Sequence, residues 1–326
     1  MDKKFSTTNS QLHKLRERGL KIPNGIRAKK ILEKENYYKL INGYKELFID
    51  ETHIGNDEKY KSGSTFNEIY SLYIFDRELR SLFMKHILEI ENNIKSIIAH
   101  DFSKKYGHEN YLKIGNFETS VQANEQNKTR SQKIGEVADL ISSIQKEIAH
   151  QLKKNSPMIS HNILTYGYVP LWVLINTLSL GTVSIFYSYL RQKDQNDIGK
   201  KFNLKPQEMN NFLFHLALYR NACAHDERLF SLKSLRKDGK PNPIKDTFIH
   251  HQLSIPKNSS NAFIYGKNDL FTIVIIFKLM LSKASFNRFY FALKDITAKL
   301  EKEIKAISIL DVYKEMGFPA NWLDIK

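Results

Sequence analysis

The sequence predicts an all-α protein, in which a small basic N-terminal helical unit precedes a larger helical bundle. Apolar residues recur at helical spacing over residues 66–106 and again over residues 131–153. A third apolar stripe follows Pro206 and runs from Met209 to Cys223. The apolar fraction of 41% is that of a chain with a packed core rather than of a disordered one.

Three short helices are expected within residues 1–50. The first runs from Ser10, as its N-cap, to Leu20, and the second from Ile26 to Asn36. The third is expected from Tyr37 to Phe48. Lys and Arg together are twice as frequent here as Asp and Glu, so this N-terminal unit is basic.

Aromatic residues lie among cations in this N-terminal unit, as in proteins that bind single-stranded RNA by stacking on bases and neutralising phosphates. The candidates for RNA binding are Lys34, Tyr37, Tyr38, Lys39, Tyr44 and Lys45. The alternative is that the tyrosines pack the unit itself.

A polar, glycine-containing segment over residues 51–64 is the predicted linker to the main domain, residues 65–326. Thr65 and Glu68 form a capping-box pattern that opens a long helix, and this helix is expected to end at Tyr106 before Gly107. Residues 116–130 are predicted to be a loop, residues 131–153 a helix and residues 157–167 a connection.

No Lys, Arg, Asp or Glu occurs between Lys154 and Arg191. The part from Val169 to Leu190 is long enough to cross a bilayer, which takes about 20 apolar residues. Polar residues such as Asn176 and the initial Pro170 favour instead a buried central helix, so no membrane association is expected.

Further helices are expected from Asp194 to Phe202, after Pro206, from Asp269 to Leu281 and from Phe286 to Ile307. Residues 231–262 form a long, proline-containing loop with an excess of basic residues. Its cations Arg236, Lys237 and Lys240 are candidates for contact with RNA, although a solvated basic loop is the alternative.

The net charge of +15 favours a polyanionic partner such as RNA or DNA, although solubility alone also explains a basic chain. The single cysteine, Cys223, excludes an internal disulfide and suits the cytoplasm. Since no phosphate-binding glycine loop, zinc motif or metal-spaced carboxylate cluster is present, no cofactor or metal is expected.

Residues Arg220 to His225 concentrate chemistry at the end of the apolar stripe. Arg220 can hold a phosphate, His225 can transfer a proton near neutral pH, and Asn221 can hydrogen-bond to either. An Arg and a His that merely cap a helix end are the alternative. Arg220 and His225 are about 140° apart around a regular helix, so the site needs an unwound helix end or a second copy of the chain.

The motif Arg-Asn-x-Cys-Ala-His, residues 220–225, resembles the signature of the Abi-like bacterial proteins, the AbiD/AbiF type of abortive infection. These belong to the wider HEPN superfamily, known for an Arg, four to six residues, His motif. The resemblance covers nearly the whole chain in matching order. The other similar segments are Arg18–Ile22, Asn36–Leu40 with Gly43-Tyr44, Leu72–Arg80, Ile90-Glu91, Val169–Trp172 and Met316–Trp322.

The resemblance implies a HEPN-like bundle and a phage-defence endoribonuclease that cleaves RNA without a metal ion, through the ribose 2′-OH. The catalytic residues would be Arg220, Asn221 and His225, supported by Glu91, Arg77 and Arg228. Because a HEPN site normally needs motifs from two protomers, a homodimer is expected.

Two other functions remain open from the sequence. The chain could be a non-catalytic RNA-binding module that holds a structured or regulatory small RNA. It could also be a toxin held by a protein antitoxin.

Overall fold

The computed structural model describes residues 5–55, 57–121 and 128–326. Regular secondary structure in these residues is helical, and β-structure is limited to isolated bridges such as Lys21 with Thr65. The prediction of an all-α fold is therefore confirmed. No helix in the described residues is both long enough and apolar enough to cross a membrane.

The α-helices, in chain order, are α1 (Thr8–Glu17), α2 (Gly25–Glu35), α3 (Phe66–Tyr106), α4 (Arg130–Lys153), α5 (Pro157–Tyr166), α6 (Leu171–Leu174), α7 (Leu180–Tyr189), α8 (Gln192–Lys200), α9 (Pro206–Ala224), α10 (Phe248–Gln252), α11 (Leu270–Met280), α12 (Lys283–Glu303) and α13 (Ile309–Met316). In the N-terminal unit the segment predicted as one helix from Tyr37 to Phe48 is largely helical, but it is not one regular α-helix. A π-helical turn, Tyr38–Asn42, and a 3₁₀ turn, Glu46–Phe48, occupy this segment.

The start of α3 has the predicted capping box. The Thr65 backbone N–H donates to Glu68 Oε2 at 2.9 Å, and the Glu68 N–H donates to Thr65 Oγ1 at 3.2 Å. At the other end Gly107 adopts a left-handed φ of 87°, which favours glycine and ends the helix where the sequence placed its end.

Residues 155–190, which contain no Lys, Arg, Asp or Glu, form three helices rather than the expected connection and one long helix. Pro157 occupies the first turn of α5, and Gly167 ends it with a φ of 78°, so the expected connection is helical. The expected central helix is divided into α6 and α7 because polar side chains interrupt it. Asn176 Nδ2 donates to the Trp172 carbonyl at 2.8 Å, and Ser179 Oγ caps the first turn of α7.

The predicted loops are partly structured. Residues 231–262 contain the short helix α10 and the bridge of Leu235 with Pro241, and Lys257 forms a further bridge with Phe263, directly after this range. Of the loop predicted over residues 116–130, residues 122–127 lie outside the described part. Helix α4 begins at Arg130 behind a capping box of Thr129 and Gln132.

The described chain divides into two compact units. The first contains the described residues of Met1–Met84 together with Ala222–Ile275 and Ser282–Lys326, and the second contains the described residues of Lys85–Asn221 together with Ile276–Leu281. The predicted linker, residues 51–64, does not separate two units in this division, because the residues on both sides belong to the first.

Each unit has its own aromatic core. In the first unit Phe83 meets Phe289 with ring centroids 5.2 Å apart, and Trp322 lies 5.5 Å from Phe318. In the second unit Phe102 lies 5.4 Å from Phe186. Helices α3, α9 and α11 contribute residues to both units.

Candidate functional site

Helix α9 carries the first half of the motif at its C-terminal end. Its buried side, which includes Met209, Phe212 and Tyr219, fixes the rotation of the helix against the core. Arg220 and Asn221 lie in its last turn, and His225 directly follows its last residue. The boundary between the two units falls after Asn221, so each half of the motif is described within its own unit.

Arg220 is held by an acidic residue of α3 in the second unit. Its Nε lies 3.7 Å from Glu91 Oε2, and the Arg220 side chain is 30% exposed whereas that of Glu91 is 4% exposed. Within the described chain both atoms are buried without a hydrogen-bond partner, so the ion pair is their main interaction. A partly exposed guanidinium, fixed on its buried side, can present its outer N–H groups to a phosphate.

A second cation belongs to this group. Lys95 Nζ donates to Glu91 Oε1 at 2.6 Å, and the Lys95 side chain is almost completely buried. One buried carboxylate therefore faces two cations, Lys95 and Arg220. This leaves an excess positive charge at the position where Arg220 reaches the surface, and such a charge favours an anionic ligand.

Asn221 and His225 are both exposed. The His225 imidazole can therefore reach a substrate in solution without a change in the fold. The Cys223 thiol between them is half-buried, and burial raises its pKa to about 12, so it stays protonated and is not a nucleophile at neutral pH.

The residue after His225 is anchored in the first unit. Asp226 adopts a left-handed φ of 56° and forms ion pairs with Arg80 and Lys39. Partial burial alone would raise the pKa of Asp226, but the hydrogen bond from Lys39 and the charge of Arg80 outweigh burial and lower that pKa. Asp226 therefore stays ionised well below neutral pH.

Asp76 of α3 is the central anchor of the segment after the motif. Its fully buried carboxylate accepts hydrogen bonds from the backbone N–H of Leu229, at 3.1 Å, and of Phe230, at 2.7 Å. It also accepts from the Tyr44 hydroxyl at 2.7 Å, and it pairs with Arg80 four residues further along α3.

Arg80 and Arg228 add further restraints to this segment. Arg80 Nη1 donates to the Glu227 carbonyl at 3.1 Å. Arg228 Nη1 donates to the Gly43 carbonyl at 2.8 Å and pairs with Glu46 at 3.0 Å. The residues after His225 are thus bonded both to α3 and to the N-terminal turns, and the chain leaving the exposed histidine is held rigidly.

Arg77, predicted as a supporting residue, pairs with Glu35 of α2 at 3.2 Å and lies over the Tyr73 ring. The structure thus gives Arg77 a place in the packing of α2 on α3. The other two supporting residues, Glu91 and Arg228, make the contacts with Arg220 and with the N-terminal turns described above.

The predicted RNA-binding residues of the N-terminal unit differ in accessibility. Lys34, Tyr38 and Lys39 are exposed, and Tyr38 shows 73% of its surface. Tyr37 is half-buried, and burial raises its pKa. Lys45 is mostly buried beside Glu58.

Tyr44 differs from the other predicted RNA-binding residues because it is a core residue. It is only 3% exposed, and its ring lies 5.8 Å from that of Phe230 and 5.3 Å from that of Tyr73. With both neighbours in contact and its hydroxyl bonded to Asp76, Tyr44 has no free face for a base, and it belongs to the core.

The cations Arg236, Lys237 and Lys240 surround a tight turn and are all exposed. The Arg236 backbone N–H donates to the Lys240 carbonyl at 2.8 Å, which closes the turn, and Gly239 supplies its left-handed residue. This turn can place three positive charges against a phosphate backbone.

Asp76, Arg80 and Lys95 were not predicted as site residues from the sequence. Asp76 carried a signal, because it lies four residues after Leu72 and three before Leu79, on the apolar face of α3. A charged residue on a buried helical face needs a partner, and Arg80 follows at the spacing of one turn.

His215 is fully buried, and its Nδ1 lies 2.8 Å from the Asn211 carbonyl, as in a structural histidine.

Among the described residues no group of three or more His, Cys, Asp and Glu side chains is placed to hold a metal ion. Comparison with protein families shows that a family model described as Abi-like protein matches residues 30–231, which is more than half of the chain. Comparisons with curated proteins and with solved structures give no match.

Proposed function

Because this chain belongs to the Abi-like protein family, we propose that it is an abortive-infection protein of phage defence and a metal-independent endoribonuclease of the HEPN type. The observation that carries the proposal is the arrangement of the motif. Arg220 is partly exposed and held by the buried Glu91, while Asn221 and His225 are exposed at the end of the same helix.

In the proposed reaction the ribose 2′-oxygen attacks the adjacent phosphorus, and the bond to the 5′-oxygen of the next nucleotide breaks. His225 accepts the 2′-OH proton as general base, or protonates the leaving 5′-oxygen as general acid. Arg220 stabilises the extra negative charge of the pentacovalent phosphate, and Asn221 orients His225 or binds a phosphate oxygen. The products are a 2′,3′-cyclic phosphate and a 5′-OH.

A homodimer is part of the proposal. Each chain supplies one motif, and Arg220 and His225 point in different directions if α9 is extended regularly. Two copies together would supply one histidine as base and the other as acid.

The test compares cells that express the wild type, His225→Ala or Arg220→Ala, with growth and RNA integrity as readouts. We expect the wild type to arrest growth with fragmented RNA, and each variant to lower cleavage by about 10²-fold or more. Matched controls are His13→Ala and Arg288→Ala, which remove an exposed histidine and an exposed arginine outside the motif. With purified protein, cleavage should continue in EDTA.

A non-catalytic RNA-binding protein is the second candidate, favoured by the exposed cations of the turn at Arg236, Lys237 and Lys240. It predicts that His225→Ala keeps both RNA affinity and biological effect. Wild-type protein that is stripped of bound RNA, binds RNA and never cleaves it would contradict the nuclease proposal and support this one.

A further inference from the structure

Helix α2 borders a groove on the surface of the first unit. One part of the groove has a volume of about 490 Å³, and its lining includes Arg27, Lys30, Lys34 and Tyr70. A second part of about 380 Å³ is also lined by Arg27 and Tyr70 and extends to Glu303 of α12. Because two lining residues are common to both cavities, we treat them as one continuous groove and call it the α2 groove. Each part has the size of an ordinary ligand pocket, about 300–1,000 Å³.

The cations of the α2 groove lie on one side of α2. Arg27, Lys30 and Lys34 are three and four residues apart, the spacing at which helical side chains are neighbours, and all three are exposed. Lys34 has Glu35 at 3.7 Å, whereas in the described part of the chain no carboxylate lies within ion-pair distance of Arg27 or Lys30. Glu35 is also held by Arg77 at 3.2 Å. This side of the groove therefore has an excess of positive charge, which favours an anionic ligand.

Tyr70 supplies an aromatic ring where the two parts of the groove meet. The half-buried ring packs against that of Tyr73, with centroids 6.2 Å apart and planes 25° apart, so its orientation is fixed. Ile31 adds apolar surface in the first part of the groove, and Ile74 does so in the second. A fixed ring beside unpaired cations is the combination that binds a nucleotide, because the base stacks on the ring and the cations neutralise the phosphate.

We propose that the α2 groove is a nucleotide-binding site, which takes either a free nucleotide or one nucleotide of a single RNA strand. Its phosphate lies at Arg27 and Lys30, and its base stacks on Tyr70. The site goes beyond the proposed function, because it shares no residue with the motif and binds a nucleotide whether or not the motif cleaves RNA. Arg220 belongs to the second unit, and every lining residue of the groove belongs to the first.

The charges of the second part of the groove set the direction of the nucleotide. Lys299 lines this part, but it is already paired with Glu78 at 2.7 Å, and Glu303 adds a negative charge. A phosphate would be repelled there, whereas an uncharged base or ribose would not. The phosphate therefore belongs in the first part of the groove, beside α2.

An acidic segment of a protein would also be attracted to these cations. Asp and Glu side chains have no flat face to stack on a ring, so such a segment makes no use of Tyr70. A nucleotide uses both the cations and the ring, and for this reason the groove favours a nucleotide.

The test measures binding of a fluorescent single-stranded oligoribonucleotide whose 2′-hydroxyls are methylated, so that attack by the 2′-oxygen cannot cleave it. Fluorescence anisotropy compares the full-length wild type with Arg27→Ala/Lys30→Ala and with Tyr70→Leu. The matched control is Lys283→Ala/Arg288→Ala, which removes one exposed lysine and one exposed arginine of α12 outside the groove. The melting temperature of each variant shows that it is folded.

We expect Arg27→Ala/Lys30→Ala to lower the affinity about 10-fold more than the control does. It should also reduce the slope of log K against log salt concentration by about 1.4, because each phosphate contact on a single strand contributes about 0.7. Tyr70→Leu should lower the affinity by about 5-fold or more and leave this slope unchanged, because stacking releases no counterions.

Competition with AMP identifies the source of the nucleotide. If AMP displaces the strand from the wild type, the site takes a free nucleotide, and if only unlabelled oligonucleotide displaces it, the site takes a strand.

Equal losses in Arg27→Ala/Lys30→Ala and in the control would overturn the proposal, because net charge alone would then explain binding. Unchanged affinity in folded Tyr70→Leu would overturn it too, and so would displacement of the strand by an equal charge concentration of polyglutamate. Wild-type protein that binds through the groove but never cleaves RNA would refute the proposed nuclease activity alone.

Discussion

The carboxylate of Asp76 holds the segment after the motif, and its replacement by Asn tests that role. Asn keeps the shape of the side chain and one oxygen that accepts hydrogen bonds. It removes the negative charge that faces Arg80, and it adds an NH2 group that can only donate hydrogen bonds. Leu229 and Phe230 both donate to this carboxylate, and the Asp76 side chain is fully buried.

The magnitude follows from these contacts. Removing one partner of a buried ion pair costs about 3–5 kcal/mol, and a buried N–H that loses its acceptor costs about 1–3 kcal/mol more. Arg80 retains Asp226 as a second partner, and the Asn oxygen can still accept one bond, so we expect a loss of about 3–4 kcal/mol. At roughly 2–4 °C per kcal/mol for a chain of this size, the melting temperature should fall by about 6–16 °C.

The assay is thermal unfolding monitored by circular dichroism, with chemical denaturation for the free energy of unfolding. Glu78→Gln is the matched control, because Glu78 lies on the same helix and pairs with Lys299 at the surface, where an ion pair contributes about 1 kcal/mol or less. Equal stabilities of Asp76→Asn and Glu78→Gln would refute the assignment of Asp76 as an anchor.

Three further predictions concern single side chains. Glu91→Gln, which leaves Arg220 without its counter-charge, should lower RNA cleavage by about 10-fold or more, and unchanged cleavage beside the surface control Glu89→Gln would contradict this role. Gly317→Ala should lower the free energy of unfolding by about 2–4 kcal/mol, because Gly317 has a φ of 73° and an added Cβ would lie 2.0 Å from Asp269 Cγ. Chemical denaturation measures this loss. The control is Gly115→Ala, whose added Cβ would lie in open space. Burial raises the pKa of Asp269 to about 6, so stability should fall by about 2 kcal/mol as pH rises from 4 to 6, and Asp269→Asn should flatten that dependence in melting curves.

The sequence predicted the helices whose apolar periodicity is long and whose caps are local. The start of α3 at Thr65 and its end before Gly107 depend on residues within one turn, and both were predicted correctly. The division into α6 and α7 was not predicted, because the continuous apolar run concealed the effect of Asn176 and Ser179 on the backbone.

Less of the candidate site than of the fold could be predicted from the sequence. The residues of the motif stand next to one another in the sequence, so their chemistry could be seen directly. The bonds from Leu229 and Phe230 to Asp76 join positions that are more than 150 residues apart, as the two separations of 153 and 154 show. Contacts between such distant positions produce no periodic pattern in the sequence, so periodicity cannot predict them. The packing of Tyr44 against Phe230 is equally remote, and for this reason a core tyrosine resembled a base-stacking one.

The two halves of the motif depend on separate supports. Arg220 is restrained in the second unit by Glu91, which also faces Lys95, whereas the segment after His225 is restrained in the first unit by Asp76 and Arg80. These sets share no residue, although α3 supplies all four. In the proposed reaction the substrate phosphate needs the arginine, and proton transfer needs the histidine. A single long helix thus provides both supports. The proposed reaction would account for the buried charges at Asp76, Arg80, Glu91 and Lys95, which a purely structural helix would replace with apolar residues at lower cost.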